Sequence, residues 1–167
     1  MLHPDTAPPE LEVTHLSPGL LMGSLGPVCL ALWAGKPTPE LFEIQRAGLA
    51  VAVTQRRGEA LFLCVITTTS DPPDETERQA SARMITAHGG DLAACACVIE
   101  GTGFRAAVTR TVLSGISMLV RSPVKLRYFD SVAHACDWLE TLARPGELSG
   151  LASQVELARA RVAALPR

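Results

Sequence analysis

No apolar run in the chain approaches the roughly 18 residues of a membrane-spanning helix, because the stretches that begin at Leu20 and at Leu92 are broken by glycine, proline or charge. A membrane partner is therefore not expected. The first residues, Met1-Leu-His-Pro-Asp5, lack the basic start and long apolar stretch of a secretory signal, which makes a cytoplasmic location the expectation. No basic run extends beyond Arg56-Arg57, and fifteen Lys and Arg against seventeen Asp and Glu give a net charge of −2. A phosphate backbone would find little to hold, so nucleic acid is not an expected partner. Also missing are a nucleophile elbow, a phosphate loop, a dinucleotide glycine fingerprint and a paired-carboxylate motif. With no activated nucleophile to name, the reading is non-enzymatic. No second Cys or His pair stands at ligand spacing beside Cys95 and Cys97, so neither a metal nor a cofactor is expected.

What is present is an apolar globular chain of 167 residues, 47% hydrophobic and 19% charged. That length predicts one domain, able to bury roughly 68 to 70% of its unfolded surface. The five cysteines are odd in number; Cys29, Cys64, Cys95 and Cys97 fall in apolar strands and Cys136 on a helix, the pattern of reduced, buried thiols.

Residues 92–129 form the centre of the reading. Leu92-Ala-Ala-Cys-Ala-Cys-Val-Ile99 is almost without polar residues and has no period of two, as a strand covered on both faces requires. Glu100-Gly-Thr-Gly103 turns the chain into a helix from Phe104 to about Val120, with Phe104, Val108, Val112, Gly115 and Leu119 on one face and Arg110, Ser114 and Ser117 opposite. Ser122-Pro123 ends it, and Val124 to Phe129 alternates like an edge strand. The unit is a right-handed βαβ crossover.

Before this unit, residues 1–10 are a flexible lead-in, and three short apolar segments, 11–16, 20–24 and 28–33, predict a meander of two or three antiparallel strands. Thr38-Pro39-Glu40 starts a helix that Arg56-Arg57-Gly58 ends, with Leu41, Ile44, Gly48, Val51 and Ala52 facing inward. Ala60 to Ile66 is a second continuous apolar strand. Asp71 then caps a helix with Pro72 at its first position and Asp74 and Glu75 in its first turn, closed by Gly89-Gly90.

After the unit, Asp130 caps a helix over 131–144, in which Val132, Cys136, Leu139 and either Trp138 or Leu142 face inward and His134 lies near Asp137. The last stretch spaces Leu148, Leu151, Val155, Ala158, Val162 and Leu165 alternately by three and four, a seam of period 3.5 with Glu156, Arg159 and Arg161 outside it. Too short to stand alone, this helix must dock on its own domain or on a second chain. The expected architecture is α/β: a mixed, mainly parallel sheet of about five strands with helices on both faces over 11–144, and a C-terminal helical extension over 145–167.

This order of elements resembles the STAS fold of bacterial anti-sigma factor antagonists and their SpoIIAA-like relatives. The resemblance is carried by Val98-Ile-Glu-Gly-Thr-Gly-Phe-Arg105 and by RYFDSVAHACDWL (Arg127 to Leu139), whose Ala-x-x-Trp-Leu helix is similar to the helix that packs on the sheet at the end of such domains. It implies a regulatory or scaffold domain acting through protein–protein contacts. In that family a strand leads into an Asp-Ser-Ser-Gly turn whose serine is phosphorylated. The matching turn here is Thr67-Thr-Thr-Ser-Asp-Pro-Pro-Asp74, where Ser70 is the nearest acceptor but the motif is absent. Asp71, Asp74 and Glu75 stand where a phosphate would be attracted, so added negative charge is repelled.

The expected partner surface comprises Ser70, Asp71, Asp74 and Glu75 on this turn, with Leu148, Leu151, Val155 and Val162 on the C-terminal seam, the latter also a route to a homodimer. Two alternatives come from the Gly101 turn. Gly101, Thr102, Gly103 and Arg105 at a helix N-terminus can hold a small anion, and Glu100 can serve as an acid or base in a cleft.

Overall fold

The computed structural model describes residues 9–103, 106, 107, 110, 111, 115, 120 and 123–166. Its centre is the strand β5 (Leu92–Ile99), flanked in parallel by β4 (Ala60–Ile66) and β6 (Lys125–Phe129). Beyond β4 lie β3 (Val28–Trp33), parallel to it, and then β2 (Leu20–Leu25) and β1 (Glu12–Leu16), each antiparallel to its neighbour. The six strands stand in the sequential order β1-β2-β3-β4-β5-β6.

The expectation of about five mainly parallel strands is corrected to six in a mixed sheet, with two antiparallel and three parallel joins. The reason lies in the amino-terminal meander, which contributes three full strands. A two-residue turn, Gly26-Pro27 with Gly26 at φ +54°, joins β2 to β3 too tightly for any arrangement but antiparallel.

Alternation along the strands divides the core in two. Val28, Leu30 and Leu32, Leu61, Leu63 and Val65, and Ala94, Ala96 and Val98 face one layer. Cys29, Ala31 and Trp33, Ala60 and Phe62, and Leu92 and Cys95 face the other. The second face is covered by α1 (Pro39–Gln55) and α2 (Glu75–Ala87), through Leu49, Val53, Met84 and Ile85. Successive crossovers of one hand place their helices on one side, as these two are. Between β5 and β6, Ala106, Ala107, Arg110 and Thr111 are helical; Phe104, Arg105, Val108, Val112, Ser114, Ser117 and Leu119, which carry most of the expected helix, lie outside the described residues.

The first face is covered only after β6, by α3 (Val132–Glu140) and α4 (Leu151–Ala163). On α4, Leu151 and Val155 are fully buried, with Ala158 and Val162 close behind, and Leu148 on the approach is buried as well. The seam expected to offer Leu148, Leu151, Val155 and Val162 to a partner instead faces the chain's own β2 and α3. The segment expected as an extension therefore belongs to the same core. A seam of period 3.5 records that a helix has one apolar stripe; it does not say what the stripe meets.

Two helix readings shift. α2 begins at Glu75, not Pro72, because a residue followed by proline avoids the helical region and Pro72 precedes Pro73. Asp74 takes over as cap, its carboxylate accepting from Glu77 N at 2.8 Å while Glu77 Oε2 accepts from Asp74 N at 2.7 Å, a closed capping box. α3 is capped by Ser131 rather than Asp130 and ends at Glu140. On α1 the cap Thr38 and the left-handed Gly58 (φ +76°) stand as expected, and Leu41, Ile44 and Ala52 pack on the core as expected. The helix also buries Gln45, Leu49 and Val53 and leaves Val51 57% exposed.

Packing of α4 can be weighed against its own outer face. Leu151→Ala, which opens a hole in the core, is expected to lower the free energy of unfolding by about 2–5 kcal/mol, whereas Leu157→Ala, at a side chain 57% exposed, should stay within about 0.5 kcal/mol. Urea unfolding of the two variants measures both, and equal losses would contradict this placement of the helix.

Candidate functional site

The carboxyl ends of β3, β4, β5 and β6 bring together four loops, and most of the polar residues singled out above are found there. After β4, the turn 67–74 is pinned to the loop that follows β3. Thr67 donates through both its N–H (3.0 Å) and its hydroxyl (2.8 Å) to Trp33 O. The Thr69 hydroxyl donates to Ala34 O at 2.7 Å and lies 3.0 Å from that of Thr67, and the Ser70 hydroxyl donates to Gly35 O at 3.1 Å. The hydroxyls of Thr67, Thr69 and Ser70 thus replace the backbone pairing that ends with the strand.

Ser70, the expected phosphate acceptor, is buried, its oxygen turned into this network. Asp71, Asp74 and Glu75 are exposed beside it. Asp74 works as the cap of α2, and Glu75 pairs with Arg78 and accepts from Gln79 Nε2 at 2.9 Å. The Arg78 hydrogen bond, with a further one from Gln79, holds the Glu75 carboxyl below its usual range. The structure keeps these four residues together on one ledge and separates them from Leu148, Leu151, Val155 and Val162, which lie in the core behind the sheet.

After β5, Glu100 N continues the ladder by donating to Ile66 O at 3.0 Å, and Gly101 and Gly103 then adopt φ of +100° and +86°. A side chain at Gly101 would be strained by that angle and would press on Thr68 Cγ2 at 3.1 Å. Arg110 closes the turn by donating through Nη2 to Gly101 O at 2.8 Å and Ile99 O at 3.3 Å. An open cleft of about 710 Å3 runs from Gly101, Thr102 and Gly103 past Arg110 to Tyr128 and Asp130. Arg105, the cation expected to complete an anion cradle, lies outside the described residues.

Glu100 is not a free acid or base. Its two carboxylate oxygens take the fork of Arg159, Nη1 at 2.7 Å and Nη2 at 2.5 Å, and Arg159 Nε also reaches Glu156 at 3.0 Å. The pair is largely sheltered, with side chains 30% and 20% exposed for Arg159 and Glu100. Hydrogen bonding to Glu100 pushes the guanidinium further above its usual range than burial pulls it down. Sequence reading placed Arg159 outside the seam but gave it no partner, since 59 residues separate the two; the one local signal is Glu156, three positions before it.

All five cysteines are unpaired thiols. Burial pushes Cys29 up to about 12 and, with lesser help from nearby carboxylates, Cys136 to about 12. Cys64, first through its hydrogen bond with Cys97, and Cys95, first through burial, are also raised well above the usual thiol range. Thiolate chemistry at neutral pH is discouraged at all four. On α3, His134 Nδ1 lies 3.4 Å from Asp130 rather than pairing with Asp137, and Trp138 stacks near Phe129 with Arg127 5.2 Å above its ring. Among the described residues no helix is long and apolar enough to cross a membrane, and no group of His, Cys, Asp and Glu gathers that could hold a metal ion.

Compared with known proteins, the chain matches no family model, no curated protein and no solved structure.

Two outcomes follow from the charges. In a double-mutant cycle of Glu100→Gln and Arg159→Met, followed by urea unfolding, the pair should show a coupling of roughly 1–2 kcal/mol, between the values of exposed and buried pairs; additive losses would mean that no such pair forms. Raised thiol values favour the protonated, folded form. Their stabilisation is complete below the ordinary value of 9.0 and is lost as pH climbs towards the folded value of about 12. Unfolding free energy should therefore fall above pH 9, less steeply in Cys29→Ala than in the parent chain, as denaturant titrations from pH 7 to 11 would record.

Proposed function

We propose that this chain is a non-enzymatic regulatory or scaffold domain of the bacterial cytoplasm that acts by docking to another protein. On this reading it works as a STAS-like, SpoIIAA-like domain would, without the phosphoserine turn. The observation that carries the proposal is the ledge at the end of β4. Its hydroxyls hold the turn to the neighbouring loop at 2.7–3.1 Å, so the exposed carboxylates of Asp71 and Glu75 are presented on a surface formed in advance. A preformed surface loses little freedom on binding, and its charge selects and steers a partner with a basic patch. The mechanism is non-covalent docking, and Ser70 need not be modified for it to work.

A second reading is supported by the cleft beside Gly101. A small anion would sit on Thr102 and the N–H groups of the 101–103 turn, and Arg105 is the cation that the sequence pattern assigns to it. Arg105→Ala would abolish that binding and leave the docking ledge unaltered.

The test uses tagged full-length chain with a host extract at low and high salt. A partner retained by the parent chain and by the control Glu43→Lys, on exposed α1 surface, should be lost from the double variant Asp71→Lys/Glu75→Lys, which leaves the Asp74 cap in place. Circular dichroism checks that the fold persists. If no protein separates the double variant from the control, the docking reading falls.

A further inference from the structure

The two edges of the sheet are guarded differently. At one, β6 exposes Lys125 and Arg127, which share a face because they are two positions apart. A second β6 brought alongside would set like charges against each other. At the other edge, β1 pairs with β2 alone among the described residues, and from Glu12 onward its outer N–H and C=O groups face no strand. No lysine, arginine or proline blunts it between Glu12 and Leu16. Leu16, 41% exposed, is one of the three large apolar side chains exposed among the described residues.

A bulge decides which side chains of β1 share a face. Val13 stands opposite Gly23 and His15 opposite Met22, so Thr14 is an extra residue in the ladder. In a regular strand positions 12 and 15 lie on opposite faces, as do 11 and 16. The extra residue cancels that. Glu12 and His15, opposite Ser24 and Met22, both line a groove of about 430 Å3 beside Ile44, Ala47 and Val51 of α1. Leu11 packs on the opposite layer, and Leu16 stands opposite Leu21 of that same layer. The strand is thereby complementary to itself. A two-fold axis normal to the sheet, passing between Val13 and Thr14, brings a second β1 alongside in antiparallel sense and keeps each face on its own side. Glu12 then meets the partner's His15 on one face and Leu11 meets the partner's Leu16 on the other, each pair occurring twice.

We propose that the β1 edge is a homodimer interface, in which two copies of the chain pair β1 antiparallel in this register and join their sheets. Backbone hydrogen bonds along the edge make the attachment, while the acid–base and leucine pairs fix the register. Ser17 Oγ, 3.0 Å from His15 Nε2, holds the imidazole ring in place for its carboxylate. An edge strand that carries Glu12 thus meets a base instead of its like, and the exposed Leu16 gains an apolar neighbour. The interface uses none of the residues of the acidic ledge or the Gly101 turn, so it stands independently of the docking reading.

Light scattering coupled to size exclusion on the full chain, over a range of concentrations, should show dimer in equilibrium with monomer. Glu12→Lys, which sets a cation against the partner's His15, should weaken the dimer about tenfold, and the charge swap Glu12→Lys/His15→Glu should restore it. Leu16→Lys should also shift the chain towards monomer, whereas Leu157→Lys, at the exposed outer side of α4, should not. Circular dichroism checks that each variant folds. Leu16→Lys keeps the test decisive if His15→Glu disturbs the turn that Ser17 closes onto Leu20. A parent chain that stays monomeric at every concentration, a dimer as tight in Leu16→Lys as in the parent, or a folded charge-swap variant no tighter than Glu12→Lys would each overturn the proposal.

Discussion

The structure depends on a sheet that is apolar on both sides. β5 carries Ala94, Ala96 and Val98 towards one layer and Cys95 and Cys97 towards the other, and β3 and β4 divide their side chains in the same way. Neither face tolerates water, so the chain has to build two helical layers. Crossovers between parallel strands supply the first without further provision, because each must leave and return on one side. The second layer has no such source. It is made only after the sheet is finished, by a chain that passes round the β6 edge and lays α3 and α4 across the opposite face.

This requirement decides what the C-terminal helix is for. With Leu151 and Val155 fully buried against the sheet, its apolar stripe is part of the domain's own closure. Outside that stripe, Arg159 grips Glu100 at the end of β5, and Gln154 Oε1 accepts from Leu11 N at 3.1 Å near the first edge strand. The helix thereby spans from the start of the sheet to the mouth of the 101–103 turn. Polar function is left to the carboxyl ends of the strands, where the ladder stops and the hydroxyls of Thr67, Thr69 and Ser70 take over its carbonyls.

Much of this was legible in the sequence wherever the cause is local. Unbroken apolar runs marked β4 and β5 to the residue, and Thr38-Pro39 marked the start of α1 because capping depends on neighbours three positions away. The start of α2 was legible too, had the steric veto of Pro73 on Pro72 been set against the attraction of Asp71 as a cap. Causes that are distant in the chain left no such mark. Nothing beside Gln45 says that Trp33 will offer it a donor, and nothing beside Glu100 points to Arg159. The sequence marks the Glu100 carboxylate and the C-terminal seam as residues but leaves their partners open, the seam between its own domain and a second chain, since role is set by what lies opposite.

The late arrival of α4 carries a consequence for biogenesis. A chain leaving the ribosome from its amino terminus can assemble β1 to β6 with α1 and α2 and then lay α3 over β4 and β5, yet the β2 end of that face, bearing Leu21 and Leu25, stays bare until the segment from Leu148 to Val162 emerges. For that interval the nascent protein displays an uncovered apolar strip, the kind of surface that chaperones bind and that draws unfinished neighbours together. The final helix is in this sense the molecule's own chaperone: its docking ends the hazardous stage of synthesis, and the Glu100–Arg159 clasp latches it in place.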